Sequence, residues 1–330
     1  MCIVKLCLRL LAVVAAQAAL ASGVGAAAHH GAPDGESARY RSWRAAVVTA
    51  LQNHGDAHSL ATAAALLSTG PAPPMQAEGL ELAGRAGAIA PEDAAIGWLR
   101  LRLCASAANC DVRGAATDMR WLDAENAAAW LPTLGAAYRD RDTTEIDRVL
   151  LDMAQNKRFD LYWNRIVVFM FASLKAAENT LPSRLQSSDA ARLQLVEAIA
   201  GGEIVPPFSA LVEICREAAA GTARREPCLK VSRMMQQSDT TIAQMAGLGI
   251  ERRTLPPESR EAHALLERRH ALEWRNTTAA RFDSPLLPWL RNAHARWRLA
   301  RMQSLRREDD VAVAILRKQG LPLEPPREKR

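Results

Sequence analysis

Four cysteines in the body of the chain, Cys104, Cys110, Cys215 and Cys228, are the residues best suited to covalent or metal chemistry. Thiolates at short spacing bind zinc when histidines or further cysteines complete a tetrahedral set. No histidine lies near either pair at such a spacing, so metal ligation is the weaker reading. The remaining chemistry is oxidation to disulfides, and whether that happens depends on the compartment. Other reactive types are scattered. His54 and His58 are four apart, but Gly55-Asp56 between them signals a turn rather than one helical face. His263 and His270 sit two helical turns apart among Glu and Arg, as on a solvated face. There is no phosphate-binding loop, dinucleotide fingerprint, H-E-x-x-H helix or G-x-S-x-G elbow. The sequence therefore assigns no catalytic, cofactor-binding or metal-ligating residue.

The compartment is read from residues 1–28. Lys5 and Arg9 precede an apolar run from Leu10 to Leu20, broken only by Gln17, and small residues from Ala21 to Ala28 offer cleavage points. This is the pattern of a secretory signal peptide cleaved near Ala26 to Ala28. The run is shorter than the roughly 20 residues a spanning helix needs, so a retained anchor is disfavoured. Cys2 and Cys7 precede the run, which disfavours lipid attachment. The expected location is periplasmic or secreted, with no integral span after cleavage. In an oxidising compartment the four remaining cysteines imply two disulfides. Three pairings are open; the local one, 104 with 110 and 215 with 228, is the simplest, because each pair flanks a predicted helix–helix turn.

The elements around these cysteines read as helices throughout. The chain has 330 residues, 49% hydrophobic but only 5% aromatic, so Ala and Leu do most of the packing and strands are disfavoured. The pattern predicts helices over Ala38–Gln52, Ala57–Leu67 and Met75–Ala88, with a Gly70–Pro74 linker. Further helices are predicted over 92–104, 111–122, 126–139 and 143–156, with Asn126 as a cap. The most hydrophobic helix is predicted over Phe159–Asn179, followed by helices near 189–200, 207–220, 226–237 and 239–247. Long charged helices are expected over Glu258–Phe282, Pro285–Arg306 and Glu308–Gln319. The domain division that follows is 1–28 signal, 38–250 helical hairpins, 251–319 basic C-terminal helices and 320–330 disordered tail.

Net charge is +6, concentrated at the C-terminal end: 18 Lys and Arg stand against 11 Asp and Glu from Glu251 to Arg330. Arg268, Arg269, Arg275, Arg296 and Arg298 lie beside Trp274 and Trp297. Basic residues interleaved with aromatics suggest nucleic acid in a cytosolic protein, which export disfavours. Two readings remain: an electrostatic contact with anionic lipid or cell-wall polymer, or indoles packed inward while the arginines pair with acids.

Residues 91–155 carry an internal echo. Glu92-Asp93-Ala94-Ala95-Ile96-Gly97-Trp98-Leu99 returns 33 positions later as Glu125-Asn126-Ala127-Ala128-Ala129-Trp130-Leu131. Leu134-Gly135-x2-Tyr138 matches part of the tetratricopeptide signature, and Ile146, Leu150 and Met153 fall on the second helix's packing positions. The stretch resembles a divergent tetratricopeptide repeat, with Trp98 and Trp130 as further packing positions. It departs from the pattern in the register of Trp130 and in Pro132. The resemblance implies an all-α array of stacked hairpins that binds a protein or peptide and does no chemistry. The expected function is an exported, non-enzymatic binding or scaffold module of the cell envelope. The alternatives are a binder of anionic envelope polymer through the C-terminal arginines, and an all-α enzyme with a dispersed site.

Overall fold

A computed structural model describes residues 38–69, 73–107, 109–217, 223–282 and 288–326. The expected signal segment, most of the Gly70–Pro74 linker and the last four residues lie outside them. Among the described residues the fold is all-α: fifteen α-helices, two short 3-10 turns and no strand. The helices are α1 (Ala38–His54), α2 (Ala57–Ser68), α3 (Pro73–Ile89), α4 (Ala94–Ser106), α5 (Val112–Leu122), α6 (Leu131–Asp140), α7 (Thr143–Ala154) and α8 (Trp163–Asn179). They continue with α9 (Asp189–Glu203), α10 (Ser209–Glu217), α11 (Arg225–Met235), α12 (Thr241–Arg253), α13 (Arg260–Ala280), α14 (Pro288–Ser304) and α15 (Glu308–Lys318). Among the described residues no helix is long and apolar enough to cross a membrane. Residues 1–46 and 47–330 separate as two units; in the first, the described part of α1 stacks Tyr40 on Trp43.

Local chemistry starts and stops these helices. Gly55 at φ 71° ends α1, and Asp56 then accepts the Ser59 N–H to cap α2. Asp93, Asp111 and Asp142 cap α4, α5 and α7 in the same way. Pro132 does not kink a helix. It sits in the first turn of α6, where its missing N–H costs nothing, and residues 127–130 form a separate 3-10 turn ahead of it.

Within residues 47–330 neighbouring helices pack as hairpins: α2 with α3, α4 with α5, α6 with α7, α11 with α12. Gly97 lets α4 approach α5 closely; a Cβ there would lie 2.5 Å from Leu122 Cδ2. Gly247 does the same for α12 against the Ser232 carbonyl of α11. The stacking is not simply sequential. α8 returns to pack on α2, α7 meets α11, and α14 lies against both α8 and α9. The basic C-terminal helices thus belong to the same compact unit as the hairpins, and the expected boundary at 250–251 falls inside α12. Residues 320–326, expected as part of a disordered tail, are held to α13: the Trp274 indole N–H donates to the Pro322 carbonyl at 3.2 Å.

Both local cysteine pairs are joined. Cys104–Cys110 closes the α4–α5 turn with Cα atoms 5.3 Å apart, and Cys215–Cys228 ties α10 to α11 at 5.6 Å. Trp98, Leu134, Ile146, Leu150 and Met153 are buried. Tyr138, expected to pack, is 37% exposed at the end of α6, one residue beyond the buried Ala137.

Candidate functional site

The polar side chains of the hairpin region fall into two sets with opposite environments. The first is buried where three interhelical connections meet. Phe159–Tyr162 was expected to open α8; instead it is non-helical, and Tyr162 takes a left-handed φ of 58°. The cause is capture of its backbone. Asn126 Oδ1 accepts the N–H of Asp160 at 2.9 Å while its Nδ2 donates to the Asp160 carbonyl at 2.8 Å. Asp239 accepts the N–H groups of Leu161 at 2.8 Å and Trp163 at 2.7 Å. A helix cannot form over backbone already committed to these partners.

Around this knot Tyr162 donates its hydroxyl to Asp123, which also pairs with Arg158. Burial, then the bond and charge of Asp123, push the Tyr162 phenol well above its ordinary value. Burial and the adjacent Asp160 carboxylate likewise raise Asp239 far above the usual carboxylate range. The Asp239 carbonyl accepts the Glu308 N–H at 2.8 Å, and Glu308 in turn accepts the Thr241 N–H at 2.8 Å. Arg306 reaches Asp160 at 3.1 Å. α8, α12 and α15 therefore start from one shared polar knot. A raised carboxylate is a signature of active sites. Here Asp239 is 1% exposed and bonded to backbone on both oxygens, so its shift serves the fold.

The second set is open to solvent. A cleft of about 500 Å³ lies between the end of α5, the 3-10 turn and the end of α7. Arg120 and Trp121 stand on one side, Trp130, Asp152, Gln155 and Asn156 on the other, with Thr117 and Ala124 completing it. The Arg120 guanidinium lies 4.2 Å from the Trp130 ring centroid, and its Nη2 donates to Thr117 at 2.8 Å. Its Nη1 is shielded from water and has no partner. Arg148 takes one oxygen of the Asp152 carboxylate at 2.6 Å and also pairs with Glu145 at 2.6 Å. Burial and then the Arg148 charge lower the Arg120 pKa. Trp121 is 85% exposed, the most exposed large apolar side chain among the described residues.

Trp130, expected as a packing residue within a helix over 126–139, ends the 3-10 turn half-buried and lines the cleft; the sequence did not single out Arg120 or Trp121. A signal was present: Ala115, Met119 and Leu122 form the apolar stripe of α5, the first two buried and Leu122 half-buried, and Trp121 falls off it. Gly135 has only the Arg139 side chain near it and contributes no close approach.

The five arginines singled out at the C-terminal end are largely committed to acids. Arg275 pairs with Asp309 at 2.8 Å, Arg298 with Glu197 at 2.7 Å, Arg296 with Asp189 at 3.2 Å and Arg269 with Glu273 at 2.8 Å. Arg268 lines a shallow cleft shared with Glu267, Asp309 and Glu324, where charges of both signs mix. His58 stacks on Phe169 and pairs with Asp93 at 3.1 Å; Arg165 reaches the same carboxylate at 3.2 Å. Burial opposes charge on Asp93, but these partners and the α4 N-terminal N–H groups hold its pKa below the ordinary value. Among the described residues no cluster of His, Cys, Asp and Glu has metal-holding geometry. Neither a known protein family, a curated protein nor a solved structure matches the chain.

Proposed function

We propose that the protein is an exported, non-enzymatic binding module of the cell envelope, built from divergent tetratricopeptide-like helical hairpins, which takes its ligand in the Trp121 cleft. The observation that carries this reading is the pairing of an almost fully exposed indole with an arginine donor that the protein leaves unused. Exposed large aromatics and unpaired buried donors are both unfavourable for stability, and such features mark contact sites. The two disulfides and the apolar run near the N-terminus support export.

Two measurements test it. Expression of the full chain with a C-terminal tag should yield a product shortened by about 26–28 residues in the periplasm or medium, with no free thiol at Cys104, Cys110, Cys215 or Cys228. An uncleaved cytoplasmic product would remove export from the account. Tryptophan indole NMR signals should then shift when fractionated envelope material is added, and the shift should vanish in Trp121→Ala. The second reading, attachment to anionic polymer through the C-terminal arginines, draws less support. Four of its five arginines already have acidic partners, and charges paired in this way leave little net field.

A further inference from the structure

The chemistry of the cleft narrows the class of ligand, on the reading that the cleft is a binding site. What its lining lacks is as telling as what it holds. A groove for an amphipathic peptide helix needs apolar pockets at helical spacing. Here the only aliphatic side chain is that of Ala124. A polyanion needs an unbroken basic lining. Here Arg148 spends its charge on Glu145 and Asp152, and Arg120 is the one cation left with an unused donor in the wall.

What remains is the Trp121 indole, the Trp130 ring lying under Arg120, and a set of planar polar groups: Arg120, Asp152, Gln155 and Asn156, whose amide also donates to the Asp152 carbonyl at 2.7 Å. An indole carries negative charge density on its face and attracts the weakly positive C–H groups that line one side of a pyranose ring. Flat amide, carboxylate and guanidinium groups present two donors or acceptors at the separation of neighbouring ring hydroxyls. The volume, about 500 Å³, falls in the ordinary range for a small-ligand site. The Arg120 guanidinium adds a selective element: a cation in the wall favours a carboxylate or a strongly dipolar acyl carbonyl over a neutral hydroxyl.

We infer that the cleft binds a saccharide whose ring lies on Trp121 and which offers an N-acyl carbonyl or a carboxylate oxygen to Arg120. Trp130 is a positioning residue in this arrangement: its ring holds the guanidinium from behind.

The test is a glycan array carrying neutral, N-acylated and uronic-acid oligosaccharides, probed with the full oxidised chain and followed by calorimetry on each hit. The expected result is saturable binding to N-acylated or uronic-acid chains, weakened at least tenfold in Trp121→Ala. The two arms separate an acyl carbonyl from a carboxylate. Arg120→Gln should lose the preference over neutral chains of the same length. Because Trp121 is exposed, its variant should keep the wild-type circular dichroism. Binding only to neutral chains, no binding on the array, or hits indifferent to Trp121→Ala overturn the saccharide inference. A peptide library run in parallel separates the two failures: peptides captured through Trp121 overturn the saccharide but keep the binding module, whereas silence in both overturns the module as well.

Discussion

The knot beneath Tyr162 and the cleft beside Trp121 are built from the same side-chain types, and both draw on the segments that leave the C-terminal ends of α5 and α7. Each combines aromatic rings, carboxylates, amides and arginine. In the knot nearly every donor meets an acceptor: Asn126 alone makes four bonds, to the Ala128 and Asp160 N–H groups, the Asp160 carbonyl and the Tyr162 hydroxyl. In the cleft Arg120 Nη1 meets none, and an indole faces water. The difference teaches that residue type alone does not tell a closed polar network from one with a donor left over. Closed networks rigidify a fold, and under the proposed function the open one takes a ligand.

The largest expected effect that would break this contrast is in the knot. Asn126→Ala should strand the buried Ala128 and Asp160 N–H groups and lower unfolding stability by about 3 kcal/mol or more, read as a fall in the denaturant midpoint. A loss under about 1 kcal/mol would show that the knot is not what holds α8 in place. The disulfides come next. Replacing Cys215 and Cys228 together by Ser should cost about 3 kcal/mol, and replacing Cys104 and Cys110 about 2 kcal/mol, because the first pair closes the longer loop; reduction of the wild type should reproduce both.

A pH titration sharpens the electrostatic side. Asp239 is raised in the folded state, so the native protein binds more protons than the unfolded one from about pH 4 upward, and stability falls as pH rises through the raised value. Asp160→Asn removes the adjacent charge and should flatten that fall by about 1.4 kcal/mol for each pKa unit recovered. An unchanged slope in the variant would separate Asp239 from Asp160. The smallest expected effect is in the cleft: Trp121→Ala should move stability by no more than about 0.5 kcal/mol.

The helical class, most helix bounds and the local disulfide pairing were legible because they rest on short-range signals: Ala and Leu content, Asp caps, Gly55 and cysteines flanking turns. The start of α8 was not. Phe159–Tyr162 is as apolar as a helix, and only Asn126 and Asp239, more than 30 and 70 positions away, pull its backbone out. The pairing of the arginines of α13 and α14 with acids was legible as a reading but not in its partners, since Glu197 and Asp309 lie on other helices. Half of the cleft was legible. Trp130 drew notice through the echo, whereas Arg120 and Trp121 needed the neighbouring hairpin to become two walls of one site.

The most direct test measures stability and oligosaccharide affinity on the same two variants. The account predicts that Trp121→Ala unfolds at the wild-type midpoint and loses the ligand. It also predicts that Asn126→Ala unfolds much earlier yet, while folded, binds as the wild type does. Contradiction would be the reverse assignment: a destabilised Trp121→Ala, or a Trp121→Ala that keeps its affinity while Asn126→Ala loses it.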